Sequence, residues 1–150
     1  MVQYGLMTII DYESVQKLWR KTPGMGLNAI DDSKEGLERY LRRNPTTCFV
    51  AKKEGRVVGS ILSGHDGRRG HIYHLAVEVD ERHQGIGSEL VRLSLESLRL
   101  EGIFKVSFAV FRDNAVGNAF WEHLHFDERT DLVYRNKVIT DAKMGWCKIG

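Results

Sequence analysis

Residues 71–102 read HIYHLAVEVDERHQGIGSELVRLSLESLRLEG, and the changes of pattern inside this stretch decide the fold. His71 to Val79 is rich in β-branched and aromatic residues and predicts a long strand. From Ile86 the apolar residues take helical spacing. Ile86, Leu90 and Leu93 form one row, and Val91, Leu95 and Leu98 form a second, so 86–101 predicts a helix with Gly102 at its C-terminal cap. Between strand and helix lies Arg82-His83-Gln84-Gly85-Ile86-Gly87. The first amides of a helix have no intrahelical acceptor, and the helix dipole adds partial positive charge there. A strand delivered through a glycine-bearing turn onto a helix is therefore an anion-binding arrangement. Gly85 and Gly87 would let a phosphate approach the backbone, and Arg82 and Ser88 would add side-chain donors.

The kind of anion is narrowed by elimination. A P-loop needs GxxxxGK followed by Ser or Thr, and no such string occurs. A dinucleotide turn needs GxGxxG directly after its strand, but Leu90 occupies the third glycine position and polar residues precede Gly85. What remains is RxxGxG after Leu75-Ala76-Val77, or two glycines that serve close packing alone.

Working outward, Asp11 predicts the cap of a helix to about Arg20, with Tyr12, Val15, Leu18 and Trp19 on one face. Thr22-Pro23-Gly24-Met25-Gly26 breaks it, and Ser33 opens a second helix with Leu37, Tyr40 and Leu41 at helical spacing. Cys48 to Ala51, a Glu54-Gly55 turn and Val57 to Leu62 predict a hairpin, with a further turn at Asp66-Gly67. Phe104, Val106, Phe108 and Val110 alternate as a strand does. Asp113 or Asn114 caps a last helix to about Leu124, and Phe126 to Val138 again reads as strand. The expectation is one α/β domain over residues 1–150, a mixed central sheet with helices on both faces.

The run Leu75-Ala76-Val77-Glu78-Val79-Asp80-Glu81-Arg82-His83-Gln84-Gly85-Ile86-Gly87 resembles the cofactor motif of the GCN5-related N-acetyltransferase (GNAT) family. Asn114, Ala115, Ala119, Phe120, Trp121 and Phe126 resemble its second signature, and the element order extends the likeness over nearly the whole chain. The resemblance implies an acyltransferase that uses acetyl-CoA to acetylate an amine. It implies a bulge near Leu75 to Val77 that frees main-chain groups for pantetheine, and amides of His83 to Ser88 that hold the pyrophosphate. Asn114 would bond the pantetheine arm, and Phe120 or Trp121 would lie near the thioester, which enters a gap between strands 71–79 and 104–111.

Acetyl transfer needs a neutral amine, a polarised carbonyl and a protonated leaving thiolate. By resemblance, the amide near Leu75 is the oxyanion donor. His71 falls where several family members place a base, and an imidazole titrates in the useful range. Glu78 is a further candidate base, and Tyr73 would position water. In a regular strand His74 faces away from His71, unless a bulge alters this. Many members carry Tyr as general acid where Trp121 stands, and an indole N–H only donates. His125 replaces the usual Gly before Phe126, which implies a different helix end. Without an acid, a non-catalytic acyl-CoA-binding module is the alternative.

The composition is 42% hydrophobic and 28% charged with 2 Pro, which excludes a disordered chain. Lys and Arg number 22 against 20 Asp and Glu, too balanced to indicate nucleic acid or a membrane. No metal site is expected. Cys48 and Cys147, without ligand spacing, read as free thiols of a cytoplasmic protein, and the N-terminus lacks a secretory pattern. Residues 22–27 and the 64–70 hairpin resemble those of uncharacterised bacterial members. Asp31, Asp32 and Asp66 read as caps and turns in preference to acids that attract a cationic amine, Trp146 reads as packing on the body or a partner, and a homodimer is compatible with the family.

Overall fold

The structure is a computed structural model that describes residues 1–141 and the backbone of 146–149. Five strands form the main sheet: β1 (Val2–Leu6), β3 (Phe49–Lys53), β4 (Arg56–His65), β5 (Gly70–Val77) and β6 (Val106–Ser107), neighbours in that order. The first three pairings are antiparallel and the last, β5 with β6, is parallel. A separate antiparallel pair joins β2 (Met25–Asn28) to β7 (Trp146–Ile149).

Helices cover both faces. On one, α1 (Tyr12–Arg20) buries Val15, Leu18 and Trp19, and α2 (Lys34–Arg43) buries Leu37 and Leu41. These side chains pack with Met7, Val50, Leu62 and Ala76, and their spacing is what removes one stripe of each helix from water. The other face carries α3 (Ile86–Leu100) and α4 (Ala115–His123). There Ile86, Leu90 and Val91 pack with Val58, Ile61 and Ile72, and Phe120 and Trp121 lie against the cluster.

Ser33 caps α2, its Oγ accepting from the Gly36 amide at 3.0 Å, and Asn114 caps α4 in the same way through Gly117 at 2.9 Å. Asp11 does not cap α1. Its carboxylate accepts from the Thr8 amide at 2.9 Å, closing a one-turn 3-10 segment over Ile9–Asp11, and pairs with Lys52.

Four expectations are corrected. Val2–Leu6 and Met25–Asn28, neither of them expected as strand, are strands: Val2, Tyr4 and Leu6 alternate with Gln3 and Gly5, Met25 and Leu27 with Gly26 and Asn28, and β3 and β7 supply their partners. The alternating stretch 104–110 pairs only at Val106 and Ser107, with Phe104 turned outward under the Arg69 guanidinium, 4.4 Å from the ring centroid. Phe126 to Val138 forms no strand: its apolar residues are Phe126, the run Leu132-Val133-Tyr134 and Val138, with no sustained alternation, and a ladder also needs an edge to pair with. The readings of Trp146 packing and of Cys147 as a free thiol fall on side chains outside the described residues.

Candidate active site

The turn between β5 and α3 is shaped by backbone conformation. After a single 3-10 turn at Val79–Glu81, Arg82 is extended, His83 has φ 64° and Gly85, the N-cap of α3, has φ 81°. A non-glycine residue at positive φ is strained by roughly 1–2 kcal/mol, so His83 is held there by its surroundings. The first intrahelical bond is Glu89 N to Gly85 O at 3.0 Å, which leaves the preceding amides without intrahelical acceptors, a row of donors. Side chains brace the row. Arg82 Nε donates to Val77 O at 3.2 Å, and Gln84 Nε2 donates to Glu81, whose carboxylate also meets Lys53 at 3.1 Å. Hydrogen bonding to Lys53 holds that carboxyl below its ordinary range.

The two glycines serve different ends. A Cβ on Gly85 would meet nothing within 4 Å, so its positive φ is the constraint. A Cβ on Gly87 would stand 3.1 Å from the Phe120 ring, so Gly87 exists for close packing of α3 on α4, not for approach of an anion. The same contact puts Phe120 directly beside the turn.

Beside the turn, β5 has an uncovered edge. It pairs with β6 only at Gly70–Val106 and His71–Ser107. The Glu78 amide donates to Val58 O at 2.8 Å, and backbone directions alternate along a strand. The main-chain groups of Ala76 therefore face β4, while those of Leu75 and Val77 face the gap. Asn114 stands across it at the head of α4. Its Oδ1 is committed to the cap, and its Nδ2 lies where a Cβ of Gly24 would be, only 2.4 Å away, so the loop after α1 reaches the same place.

The bulge on β5 is at Tyr73 and not at Leu75 to Val77. Leu62 opposes His74 and Ser63 opposes Ile72, so Tyr73 is the extra residue. The consequence is large. Ile72 and Leu75 face α3, whereas His71, Tyr73 and His74 all lie on the α1–α2 face, as contacts with Tyr40, Trp19 and Asp32 show. His71 and Tyr73 are in ring contact at 4.3 Å, and Tyr73 meets Tyr40 edge-on at 5.6 Å. Desolvation lowers the His71 pKa below its ordinary 6.5, favouring the neutral form a base requires. Burial raises the Tyr73 phenol, assisted by Asp31 and Tyr134.

Glu78 is taken out of this group. It follows the end of β5 and pairs with Lys21 at 2.8 Å. Trp121 is also elsewhere engaged, ringed by Phe108, Phe120 and Phe126 at centroid distances of 4.3, 5.1 and 5.0 Å. The end of α4 is not altered by His125, which adopts φ 65° as a glycine would. His125 N donates to Glu122 O at 2.9 Å and Phe126 N to Trp121 O at 3.0 Å, the Schellman pattern with its Trp121–Phe126 contact.

From sequence, Tyr40 reads only as part of a helix face and Asp32 as a cap or turn in preference to an acid that attracts the amine; both are neighbours of the site. Asp32 Oδ1 lies 2.8 Å from His74 Nε2, and both residues are buried. Nothing local signals a contact across 42 positions.

The Acetyltransferase (GNAT) family model matches residues 12–126. An acetyltransferase of Pectobacterium atrosepticum is 30% identical over 133 residues, which cover 89% of this chain and 93% of the relative. Among solved structures, the PaiA N-acetyltransferase of Thermoplasma acidophilum in complex with coenzyme A superposes with a TM-score of 0.71 at 17% identity, covering 83% of this chain and 88% of that one. The ribosomal-protein-S18-alanine N-acetyltransferase of Escherichia coli gives 0.71 at 18%, covering 87% and 80%. At these identities the two structures establish a shared fold.

Proposed function

Because the chain belongs to the acetyltransferase (GNAT) family, we propose that it transfers the acetyl group of acetyl-CoA to a primary amine by direct attack on the thioester. The observation that carries this reading is the left-handed turn at His83 and Gly85, set beside an edge of β5 that β6 leaves uncovered. Coenzyme A in the Thermoplasma enzyme of the same fold supports the choice of cofactor. The residues here fit it. The amides of 83–88 suit a pyrophosphate, and the gap-facing groups of Leu75 and Val77 suit the amides of a pantetheine arm. Asn114 Nδ2 offers a donor to that arm, and Phe120 an apolar wall.

Acetyl-CoA, when bound, supplies an activated acyl carbon and a thiolate leaving group. The Leu75 amide, which faces the gap, would donate to the oxygen that gains charge during attack. His71, neutral through burial, accepts the proton of the amine, and Tyr73, half in solvent beside it, orients a water between the two. Trp121, packed among phenyl rings, is not the acid; the proton of the leaving thiol would come from another donor or from solvent. The acceptor is a small-molecule or protein amine. The Escherichia coli neighbour, named for acetylating an alanine of a ribosomal protein, supports including peptide N-termini.

We also read residues 1–150 as one domain, supported by the span of the family model and by 93% coverage of the Pectobacterium relative. No helix among the described residues is long and apolar enough to cross a membrane. A cytoplasmic location is supported only by the low cysteine count and the lack of ligand spacing around Cys48, a buried free thiol.

Incubating the protein with acetyl-CoA and a panel of small amines, polyamines and peptides, and following free thiol, tests the proposal. Amine-dependent release with a matching acetylated product is expected. Acetyl-CoA binding with no release on any amine would instead favour the acyl-CoA-binding module.

A further inference from the structure

Asp32 and His74 form a buried pair that no step above uses. The His74 Nε2 to Asp32 Oδ1 distance is 2.8 Å, and each residue is 8% exposed. Asp32 is a junction. Its second oxygen accepts from the Asn28 amide at 2.9 Å, and its carbonyl accepts from Tyr12 Oη at 3.3 Å and from the Gln16 amide. His74 is itself walled by Trp19, edge-on at 4.7 Å, whose Nε1 donates to Ser60 at 3.0 Å. The segment between β2 and α2 is thereby tied to β5 at the residue next to the bulge.

Burying such a pair costs desolvation, and an apolar pair of similar volume would hold the fold about as well. What an apolar pair cannot do is choose a register. With the extra residue at Tyr73, His74 faces the α1–α2 side and reaches Asp32. Were the bulge to slide toward the end of β5, His74 would swing onto the α3 side, among Ile72, Leu90 and Val91. An apolar side chain would be equally at home on either side, but an imidazole has its partner on only one. The same slide would turn Leu75 and Val77 toward β4 and present His74 and Ala76 to the gap.

We infer that Asp32 and His74 act as a register latch, a positioning pair that holds the bulge at Tyr73 and so keeps the Leu75 amide facing the acceptor gap. The latch rests on the proposed activity only for its effect on turnover. Its effect on the strand is independent of any ligand.

The test compares His74→Gln, whose side-chain amide can still donate to Asp32, with His74→Met, which has a similar volume and no donor. NMR hydrogen exchange reads the amides of residues 73–77, while thiol release on the best amine of the panel and acetyl-CoA affinity read function. Wild type and His74→Gln should show a protected Ala76 amide between faster Leu75 and Val77. In His74→Met that alternation should be lost, with turnover at least about tenfold lower and acetyl-CoA affinity within about threefold, as expected for misplacement without lost binding. His74→Phe replaces His74→Met if the latter does not fold. Wild-type alternation and turnover in the donor-less variant, or equal losses in both variants, would overturn the latch. If the wild type turns over no amine, the proposed activity fails, and the exchange pattern alone decides the latch.

Discussion

The α3 side of β5 and its α1–α2 side do different work with different materials. Around the turn at 82–88 the donors are main-chain amides, fixed by two left-handed residues and braced by Arg82, Gln84 and Glu81 from within a few positions. Around His71, Tyr73 and His74 the functional groups are side chains: Tyr73 meets Tyr40 of α2 ring to ring, and His74 meets Trp19 of α1 and bonds Asp32 of the loop across 42 positions. Backbone donors are indifferent to what the far end of a ligand looks like, which suits a cofactor common to many enzymes. Side-chain walls change with single substitutions, which suits an acceptor that differs from one enzyme to the next.

Substitutions can separate the two sides. The largest effect is expected from Gly85→Glu, which strains the left-handed position and sends a carboxylate into the row of amides. Acetyl-CoA affinity should fall by about two orders of magnitude or more with the fold intact by circular dichroism. Gly87→Glu should instead lower the melting temperature, since its side chain is driven into Phe120. Loss of binding without loss of stability in Gly87→Glu would erase the distinction between the two glycines.

On the other side, His71→Ala should lower turnover by about a hundredfold and leave acetyl-CoA affinity within about threefold. Unchanged turnover would make His71 structural. Its titration gives a subtler check. Burial lowers the folded pKa beneath 6.5, so the acid limb of the turnover profile should lie below pH 6.5 and vanish in His71→Ala. The unfolded chain binds this proton more readily, so the stability it contributes is complete above pH 6.5 and is lost as pH falls through the folded value. A difference in acid melting between wild type and His71→Ala reads that sign.

The smallest effect belongs to neither ligand. His125→Gly should stabilise the protein by about 1 kcal/mol, because glycine adopts the left-handed helix end without strain. A lower melting temperature would mean that the His125 ring contributes more than its backbone costs.

The same division explains what could be read in advance. The turn, the helix after it, the caps at Ser33 and Asn114 and the Gly102 terminus depend on residues within a few positions of one another. They were legible from spacing, and the resemblance extended them to a cofactor. The strand at Met25–Asn28 alternates over only four residues beside the Pro23-Gly24 break, too briefly to be told from a turn, and the short reach of β6 depends on what lies alongside. The bulge at Tyr73 shows the difference most directly. Its position decides whether His74 joins His71 or opposes it, and is set by an acid on another element. Pattern could place Gly87 in the turn but not tell that its vacant side belongs to Phe120.

Calorimetric titration of the purified protein with acetyl-CoA, with NAD and ATP in parallel, tests the central claim most directly. Saturable binding of acetyl-CoA and none of the other two is expected, because the turn holds a pyrophosphate only when a pantetheine arm lies along β5. Absence of acetyl-CoA binding, or equal binding of all three, would contradict it and leave the turn at 82–88 as an element of the fold alone.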